Sequence, residues 1–228
     1  MRTYLVLVAA VLAAVACGGS KESNATQPPP DTTSTSPSGL NIAADSGFSD
    51  RTAVVGTALP TQVHVTNVGQ PVSGVVVTWT IVNGGGKVSA TTSTTTASGI
   101  ASTTWTVGDT VRLNTLSASI TGGSTTVIVQ AVADAATKLT KASADTSVVV
   151  AGSSLVLAVR LADKFGNVVP EVPVTWAAAA GKLTVTASKT GPSGRSEAVF
   201  STDPAARSYD VTASVTGLGT VTFRVVGM

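Results

Sequence analysis

Residues 75–79 read Val-Val-Val-Thr-Trp, and residues 172–176 read Val-Pro-Val-Thr-Trp. Two further pairs of stretches follow at nearly the same spacing. Ser98-Gly99 corresponds to Ser193-Gly194, and Leu-Ser-Ala-Ser-Ile-Thr-Gly at 116–122 corresponds to Val-Thr-Ala-Ser-Val-Thr-Gly at 211–217. The spacing is about 95 residues and drifts by only a residue or two, as expected when surface loops accept small insertions. The sequence therefore predicts one folding unit used twice.

Apolar and polar residues alternate within each copy, as in a strand with one buried face. The residues predicted to face the core are Val75, Val77, Trp79 and Ile81 in the first copy and Leu155, Leu157, Val159 and Leu161 in the second. Turn-forming runs rich in Gly, Asn, Asp and Pro separate about seven short strands per copy. No segment offers a helix to cover a parallel sheet, so we predict an all-β fold of two tandem antiparallel β-sandwiches, at residues 40–134 and 135–228.

Residues 163–170, Asp-Lys-Phe-Gly-Asn-Val-Val-Pro, precede the second Val-x-Val-Thr-Trp stretch. Together with the Thr-rich strands and the Ser-Gly turn, they resemble the group 1 bacterial immunoglobulin-like (Ig-like) domains found in invasin and intimin stalks. The first copy departs from this pattern, because Asn67-Val68-Gly69-Gln70 is one residue shorter. The resemblance covers residues 40–228 and implies Greek-key Ig-like sandwiches on a cell surface. It carries over no receptor site, since binding in such adhesins usually belongs to a terminal domain of another type.

The first residues are typical of an export signal. Arg2 precedes an apolar run at 4–16, which is shorter than the roughly 20 residues needed to span a bilayer. Ala14-Val15-Ala16-Cys17 resembles the bacterial lipobox, although Ala14 is less usual there than leucine. The resemblance implies that residues 1–16 are removed and that Cys17 is lipidated, which predicts an envelope lipoprotein of the outer membrane, exposed at the surface. The alternative is an ordinary signal peptide, with Cys17 discarded or left as a free thiol.

Residues 17–39 form the predicted tether. From residue 18 onward this segment contains no apolar side chain larger than alanine, so it cannot bury enough surface to fold, and we predict a disordered linker. Cys17 is the only cysteine, so no disulfide can form within the chain, and the two sandwiches must be held by packing.

The inventory of catalytic groups is small. His64 is the only histidine and falls on the solvent side of its strand, and no Gly-x-Ser-x-Gly motif is present. Glu171 and Glu197 are predicted to point outward, which excludes a facing pair of carboxylates. The Gly-rich run at 83–87 lacks the spacing of a phosphate-binding loop and predicts a hairpin. We therefore predict that the chain is not an enzyme and has no cofactor.

Two kinds of ligand need separate consideration. The net charge of +2 argues against nucleic acid, although the second copy is weakly basic. Among metals, calcium fits the residues best, with side-chain oxygens of Asp163 and Asn167 as weak candidate ligands and Asp145 or Asp203 as further oxygen donors. Calcium prefers six to eight oxygen ligands, and Asp163 and Asn167 are more simply explained as caps of a turn, so we predict no metal site.

The aromatic residues distinguish two candidate functions. Trp79, Trp105, Trp176 and Phe200 fall at core positions of the alternating strands and are predicted to be structural. The favoured function is a structural or adhesive module, attached to the membrane through Cys17, with a surface protein or glycan as its partner. The alternative is a carbohydrate-binding or enzyme-accessory module, which requires an exposed aromatic patch. The ligand, the oligomeric state and the choice between periplasm and exterior stay open.

Overall fold

The computed structural model describes residues 39–228. The predicted signal peptide at 1–16, the lipidated Cys17 and nearly all of the predicted tether lie outside the described residues. Within residues 39–228 the chain forms strands and turns, and no helix in this range is long and apolar enough to cross a membrane.

The first sandwich packs two sheets against each other. Its strands are β1 (Leu40–Ala44), β2 (Arg51–Val54), β3 (Ala58–Asn67), β4 (Gln70–Pro71), β5 (Val76–Asn83), β6 (Gly86–Val88), β7 (Thr92–Thr94), β8 (Ile100–Val107), β9 (Leu113–Ile120) and β10 (Gly123–Val132). One sheet has the order β1-β3-β8-β6, with β4 also paired to β3, and the other has the order β2-β10-β9-β5-β7.

The second sandwich repeats this arrangement. Its strands are β11 (Lys138–Lys141), β12 (Thr146–Val149), β13 (Ser154–Ala162), β14 (Pro173–Ala178), β15 (Lys182–Leu183), β16 (Ala187–Lys189), β17 (Arg195–Ser201), β18 (Arg207–Val215) and β19 (Gly219–Gly227). The sheet orders are β11-β13-β17-β15 and β12-β19-β18-β14-β16, the same as in the first sandwich apart from β4. The twofold use of one all-β unit, predicted from the repeat, is confirmed.

Alternation explains which faces of the strands are buried. Along β5, Val77 and Trp79 are buried, whereas Thr78 and Thr80 point to solvent. Trp79 lies directly opposite Ala118 on β9, and the small residue leaves room for the indole ring. The second sandwich repeats this large-small pairing, with Trp176 opposite Ala213. Each sandwich thus has its own apolar core between its two sheets.

One pairing in each sandwich is parallel, unlike the wholly antiparallel sheets expected from the sequence. β2 runs parallel to β10, and β12 runs parallel to β19. The chain leaves β1 in one sheet, turns through residues 45–50, and continues as β2 at the edge of the other sheet. Alternation indicates only which side of a strand is buried, so it cannot reveal that a short edge strand has changed sheets.

The glycine-rich run at 83–87 was predicted to be a hairpin, and this prediction is wrong. β5 and β6 belong to different sheets, so the run is a crossing between the sheets. Gly84, Gly85 and Gly86 all have positive φ, at 88°, 77° and 92°. A Cβ on Gly84 would collide with the side chain of the buried Asn114. The glycines are needed here for close packing of the crossing rather than for a tight turn alone.

Candidate functional site between the two sandwiches

Asp163 organises the loop that follows β13. Its side chain is 0% exposed, and each carboxylate oxygen accepts two N–H groups. Oδ1 accepts the backbone N–H groups of Phe165 and Asn167, both at 2.9 Å. Oδ2 accepts the side-chain amide of Asn167 at 2.9 Å and the backbone N–H of Asp134 at 3.1 Å. One buried carboxylate therefore fixes both its own loop and the linker from the first sandwich.

Asn167 connects the second sandwich to the first. Its Nδ2 donates to the backbone carbonyl of Asp109 at 2.8 Å, and its Oδ1 accepts the backbone N–H of Val111 at 3.1 Å. Because Nδ2 also donates to Asp163, both amide hydrogens and one oxygen lone pair are used. The carboxamide is therefore held in one orientation and bridges residues 56 and 58 positions away in the sequence.

The linker between the sandwiches is also held in place. Asp134 forms an ion pair of 3.1 Å with Lys164, and its Oδ1 accepts the backbone N–H of Ala135 at 2.8 Å. Thr137 donates its backbone N–H to Ala162 at 2.9 Å. We call the set Asp134, Asp163, Lys164 and Asn167 the clasp.

Phe165 covers the end of the first sandwich. A Cβ placed on Gly56 would lie 3.2 Å from Cζ of Phe165, so only a glycine fits beneath the ring without displacing it. Lys164 Nζ lies 5.0 Å from the centroid of the same ring. The ring borders a shallow cleft lined by Gly56, Gly86, Lys87 and Asp109 of the first sandwich. A second, mostly apolar cleft between the sandwiches is lined by Val111, Val132, Val168, Pro170 and Pro192.

The clasp holds its two carboxyl groups in the ionised form. Burial acts to raise the pKa of Asp163, but the hydrogen bonds from Asn167, Asp134 and Phe165 together outweigh burial and place the pKa below its ordinary value of 3.8. The pKa of Asp134 is lowered as well, first by the hydrogen bond from Ala135 and then by Lys164.

Acidification should weaken the junction. A carboxyl group whose pKa is lower in the folded protein stabilises the fold fully above its unfolded pKa, and this contribution is lost as the pH falls through the folded pKa. For Asp163 and Asp134 the loss therefore sets in as the pH approaches the ordinary value of 3.8 and grows below it. Thermal unfolding followed by circular dichroism at stepped pH measures this decline. Asp163→Asn, which cannot titrate, should show a smaller decline, and equal declines would contradict the assignment.

The structure does not bring together the side chains that were considered for catalysis. His64 lies on the outer face of β3, where Nε2 contacts the carbonyl of Ser98 at 2.6 Å. Glu171 pairs with Lys189 at 3.3 Å and Glu197 with Arg195 at 3.1 Å, both at the surface. The outward orientation predicted for His64, Glu171 and Glu197 is confirmed.

The oxygen atoms considered for calcium have other partners. Both oxygens of Asp163 and the oxygen of Asn167 accept the N–H groups described above. Asp145 pairs with Lys141, and Asp203 pairs with Arg207 at 3.4 Å. In the part of the chain that the structure describes, no group of three or more His, Cys, Asp or Glu side chains is placed to hold a metal ion.

The aromatic side chains are largely internal. Trp79, Trp105, Trp176 and Phe200 are at most 2% exposed. The indole N–H of Trp79 donates to Ser93 at 2.8 Å, and that of Trp176 donates to the equivalent Ser188 at 3.1 Å. The remaining aromatic residues from position 39 onward are the buried Tyr209 and Phe223, the half-buried Phe48 against Arg51, and Phe165 in the junction. Among residues 39–228, Phe165 is the one aromatic side chain that is largely exposed, at 42%, so no cluster of exposed aromatic side chains is formed in this range.

Comparison with known proteins identifies the fold. No protein-family model matches the chain, and no curated protein sequence is significantly similar to it. FdeC, an Escherichia coli adhesin, superposes with a TM-score of 0.58 at 17% identity over 83% of this chain and 63% of that structure. Yersinia pseudotuberculosis InvD superposes with a TM-score of 0.52 at 15% identity, over 83% of this chain and 57% of that structure. The chain shares its fold with FdeC and InvD.

The Ig-like fold expected from the resemblance to invasin and intimin domains is thereby confirmed. The D0–D1 domains of intimin also match, with 23% identity over 83% of this chain and 99% of theirs and a TM-score of 0.35. The chain spans less than two thirds of the FdeC and InvD structures.

The sequence pattern predicts Asp163 and Asn167 as turn caps, but it does not predict their contacts across the junction. Asp109, Val111 and Asp134 were not singled out, since the first two contribute only backbone atoms to Asn167. One signal was available in the repeat itself. The loop at 163–167 is longer than its counterpart at 67–70, and the extra length supplies the residues that contact the other sandwich.

Proposed function

We propose that the chain is a non-catalytic spacer of the bacterial cell envelope, in which two Ig-like modules are held as one stiff unit for a structural or adhesive role at the cell surface. The observation that carries this proposal is the clasp. Separate modules on a flexible linker move independently by default, whereas here Asn167 ties the loop of one sandwich to the backbone of the other, and Asp163 ties the same loop to the linker. A stiff unit transmits force and keeps its outer end away from the membrane.

The proposed attachment is a lipid on Cys17, followed by a tether at 17–39 that separates the first sandwich from the bilayer. As a flexible coil, this segment would span roughly 25 Å. The proposed partner is a surface protein or glycan of another cell or of the same envelope. Support for adhesion comes from the shared fold, since FdeC is described as an E. coli adhesin.

Asn167→Ala tests the stiffness of the unit. The substitution removes the direct side-chain hydrogen bonds between the sandwiches and leaves the three backbone N–H groups bonded to Asp163. Spin labels at the exposed positions Thr126 and Thr222 report the distance between the sandwiches by pulsed electron spin resonance. We expect a narrow distance distribution in the parent protein and one about twofold broader in the variant.

The matched control is Asn41→Ala, which removes an exposed asparagine from β1, away from the clasp. It should leave the distance distribution unchanged. A distribution already broad in the parent protein, or equal widths in parent and Asn167→Ala, would reject the stiff spacer.

Cys17→Ser tests the attachment and the location. Protease treatment of intact cells should release fragments of the two sandwiches from the wild type, and labelled palmitate should be incorporated into it. The Cys17→Ser protein should lose the label and leave the membrane fraction, because no thioether can form. Protection of the wild type in intact cells, with cleavage only after outer-membrane rupture, would instead indicate a periplasmic spacer.

A further inference from the structure

Each sandwich has the same surface at the end where β2 or β12 finishes. In the first sandwich, Thr57 donates its backbone N–H to Val54, and Gly56 donates to the carbonyl groups of Val107 and Gly108. In the second sandwich, Ser153 donates its backbone N–H to the carbonyl of Val150, and Gly152 donates its backbone N–H to the carbonyl of Asp203. These matching bonds make Gly152 the equivalent of Gly56 and Val150 the equivalent of Val54.

The two equivalent ends differ in what covers them. The end of the first sandwich lies under Phe165 and Asn167, and Val54 there is 37% exposed. The end of the second sandwich, which we call the free end, consists of Val150, Gly152, Lys182 and residues 204–206. Val150 is 74% exposed. Pro204 and Ala206 correspond to Asp109 and Val111, and their backbone C=O and N–H make no hydrogen bond within residues 39–228.

The first sandwich carries the counterpart of the docking loop. Val68-Gly69-Gln70 has the same order of apolar residue, glycine and carboxamide as Phe165-Gly166-Asn167. Gly69 and Gly166 both have positive φ, at 79° and 94°. Both loops follow equivalent strands and are closed by the same backbone hydrogen bond. Val72 donates its N–H to the carbonyl of Val65 in β3, and Val169 donates its N–H to the carbonyl of Leu161 in β13. We call residues 68–70, which are the two turn residues and the first residue of β4, the free loop.

Val68 combines high exposure with an unusual backbone conformation. It is 91% exposed, and its φ of 49° lies in the left-handed region, which β-branched residues seldom adopt. A strained and exposed apolar side chain at a loop tip is typical of a contact surface without its partner. The loop has no charged residue from position 66 to position 71, so charge does not oppose docking on Lys182 or on the Asp203–Arg207 ion pair.

We propose that copies of this chain associate head to tail, with the free loop of one copy docked on the free end of the next. Val68 packs over Gly152 as Phe165 packs over Gly56. The Gln70 carboxamide reaches the carbonyl of Pro204 and the N–H of Ala206, as Asn167 reaches Asp109 and Val111. The contact repeats between copies the interface already present within one chain, with a smaller apolar residue and a longer amide.

Such a contact is heterologous, because it joins two different surfaces, and it produces open rows of copies rather than closed dimers. A contact made by one loop is small and therefore weak in solution. The stiff spacer role does not depend on this assembly.

Sedimentation velocity of the full chain carrying Cys17→Ser tests the proposal, because neither lipid nor disulfide can then join copies. We expect the weight-average mass to rise at least about 1.5-fold as the concentration is increased to about 1 mM. Val68→Asp and Gly152→Asp each remove one half of the contact, because Gly152 is the residue over which Val68 packs, and each variant should remain monomeric. An equimolar mixture of the two variants should form a 1:1 dimer, since one keeps a working free loop and the other a working free end.

The matched control is Val156→Asp, which places the same charge on a half-exposed position of the outer face of β13 and should associate like the parent. Thermal melts verify that each variant is folded. The proposal is overturned if the parent stays monomeric throughout. Dimerisation of Val68→Asp by itself would also overturn the proposal, because the contact would then join two free ends. A monomeric mixture of the two variants would overturn it as well.

Discussion

Asp163→Ala is expected to lower the free energy of unfolding of the second sandwich by about 3 to 5 kcal/mol, because removing one member of a buried charged network leaves its partners unsatisfied. Four N–H groups lose their acceptor at once: three from the loop itself and one from Asp134 in the linker. Since the loop also holds the first sandwich, the two sandwiches should unfold in more widely separated transitions than in the parent. Urea denaturation followed by far-UV circular dichroism, together with calorimetry, measures both effects.

Asp109→Ala is the matched control. Asp109 belongs to the same junction, but only its backbone carbonyl contacts Asn167. Its carboxylate makes one exposed contact, of 3.5 Å, with Thr110. The substitution should therefore change the free energy of unfolding by less than about 0.5 kcal/mol. A loss of less than about 1 kcal/mol for Asp163→Ala would show that the buried carboxylate does not organise the junction.

Trp176→Ala is expected to cost about 3 to 5 kcal/mol of the stability of the second sandwich, the usual range for deleting a buried tryptophan. The indole is 1% exposed, stacks at 6.1 Å on Phe223 and lies opposite Ala213, so its removal leaves a cavity between the two sheets. Its N–H also donates to Ser188, which contacts Ser196 at 2.6 Å. Urea unfolding should show the transition of the second sandwich shifted and that of the first sandwich retained.

Trp105→Phe provides the comparison in the first sandwich. Trp105 is fully buried, but its indole N–H is without a hydrogen-bond partner among residues 39–228. The equivalent position of the second sandwich is Phe200. Replacement by phenylalanine leaves a small cavity but removes an unsatisfied donor, so the cost should be below about 1.5 kcal/mol. Equal losses for Trp105→Phe and Trp176→Ala would contradict this account of the two cores, as would red-shifted tryptophan emission from the folded parent.

Most of the fold could be predicted because its causes are local in the sequence. The alternation around Val77 and Trp79 specifies a strand with one buried face, and its recurrence at Val174 and Trp176 specifies a second copy of the same strand. The parallel pairing of β2 with β10 and the crossing at Gly84 could not be predicted in this way. Both depend on which sheet receives a short segment, and alternation contains no information about that choice.

The candidate site was predicted only in part, because a local pattern predicts a turn but not the contacts that the turn makes with a distant segment. Asp163 and Asn167, with Gly166 between them, predict a turn closed by side chains on their own backbone, and Asp163 does accept such bonds from Phe165 and Asn167. The contact from Asn167 to Asp109 joins residues 58 positions apart, and its acceptor is a backbone carbonyl that any residue type could supply. No side-chain pattern therefore marks it.

The sequence by itself determined the repeat, the all-β class and the burial of its three tryptophans and Phe200, because each follows from spacing and polarity along a strand. Only the tertiary structure decided that Asp163 and Asn167 bind two sandwiches together, and that no segment of residues 39–228 covers the equivalent end at Gly152. The physical reason is that docking depends on the shape of a loop and the direction of backbone groups in space. Those properties exist only after both sandwiches have folded.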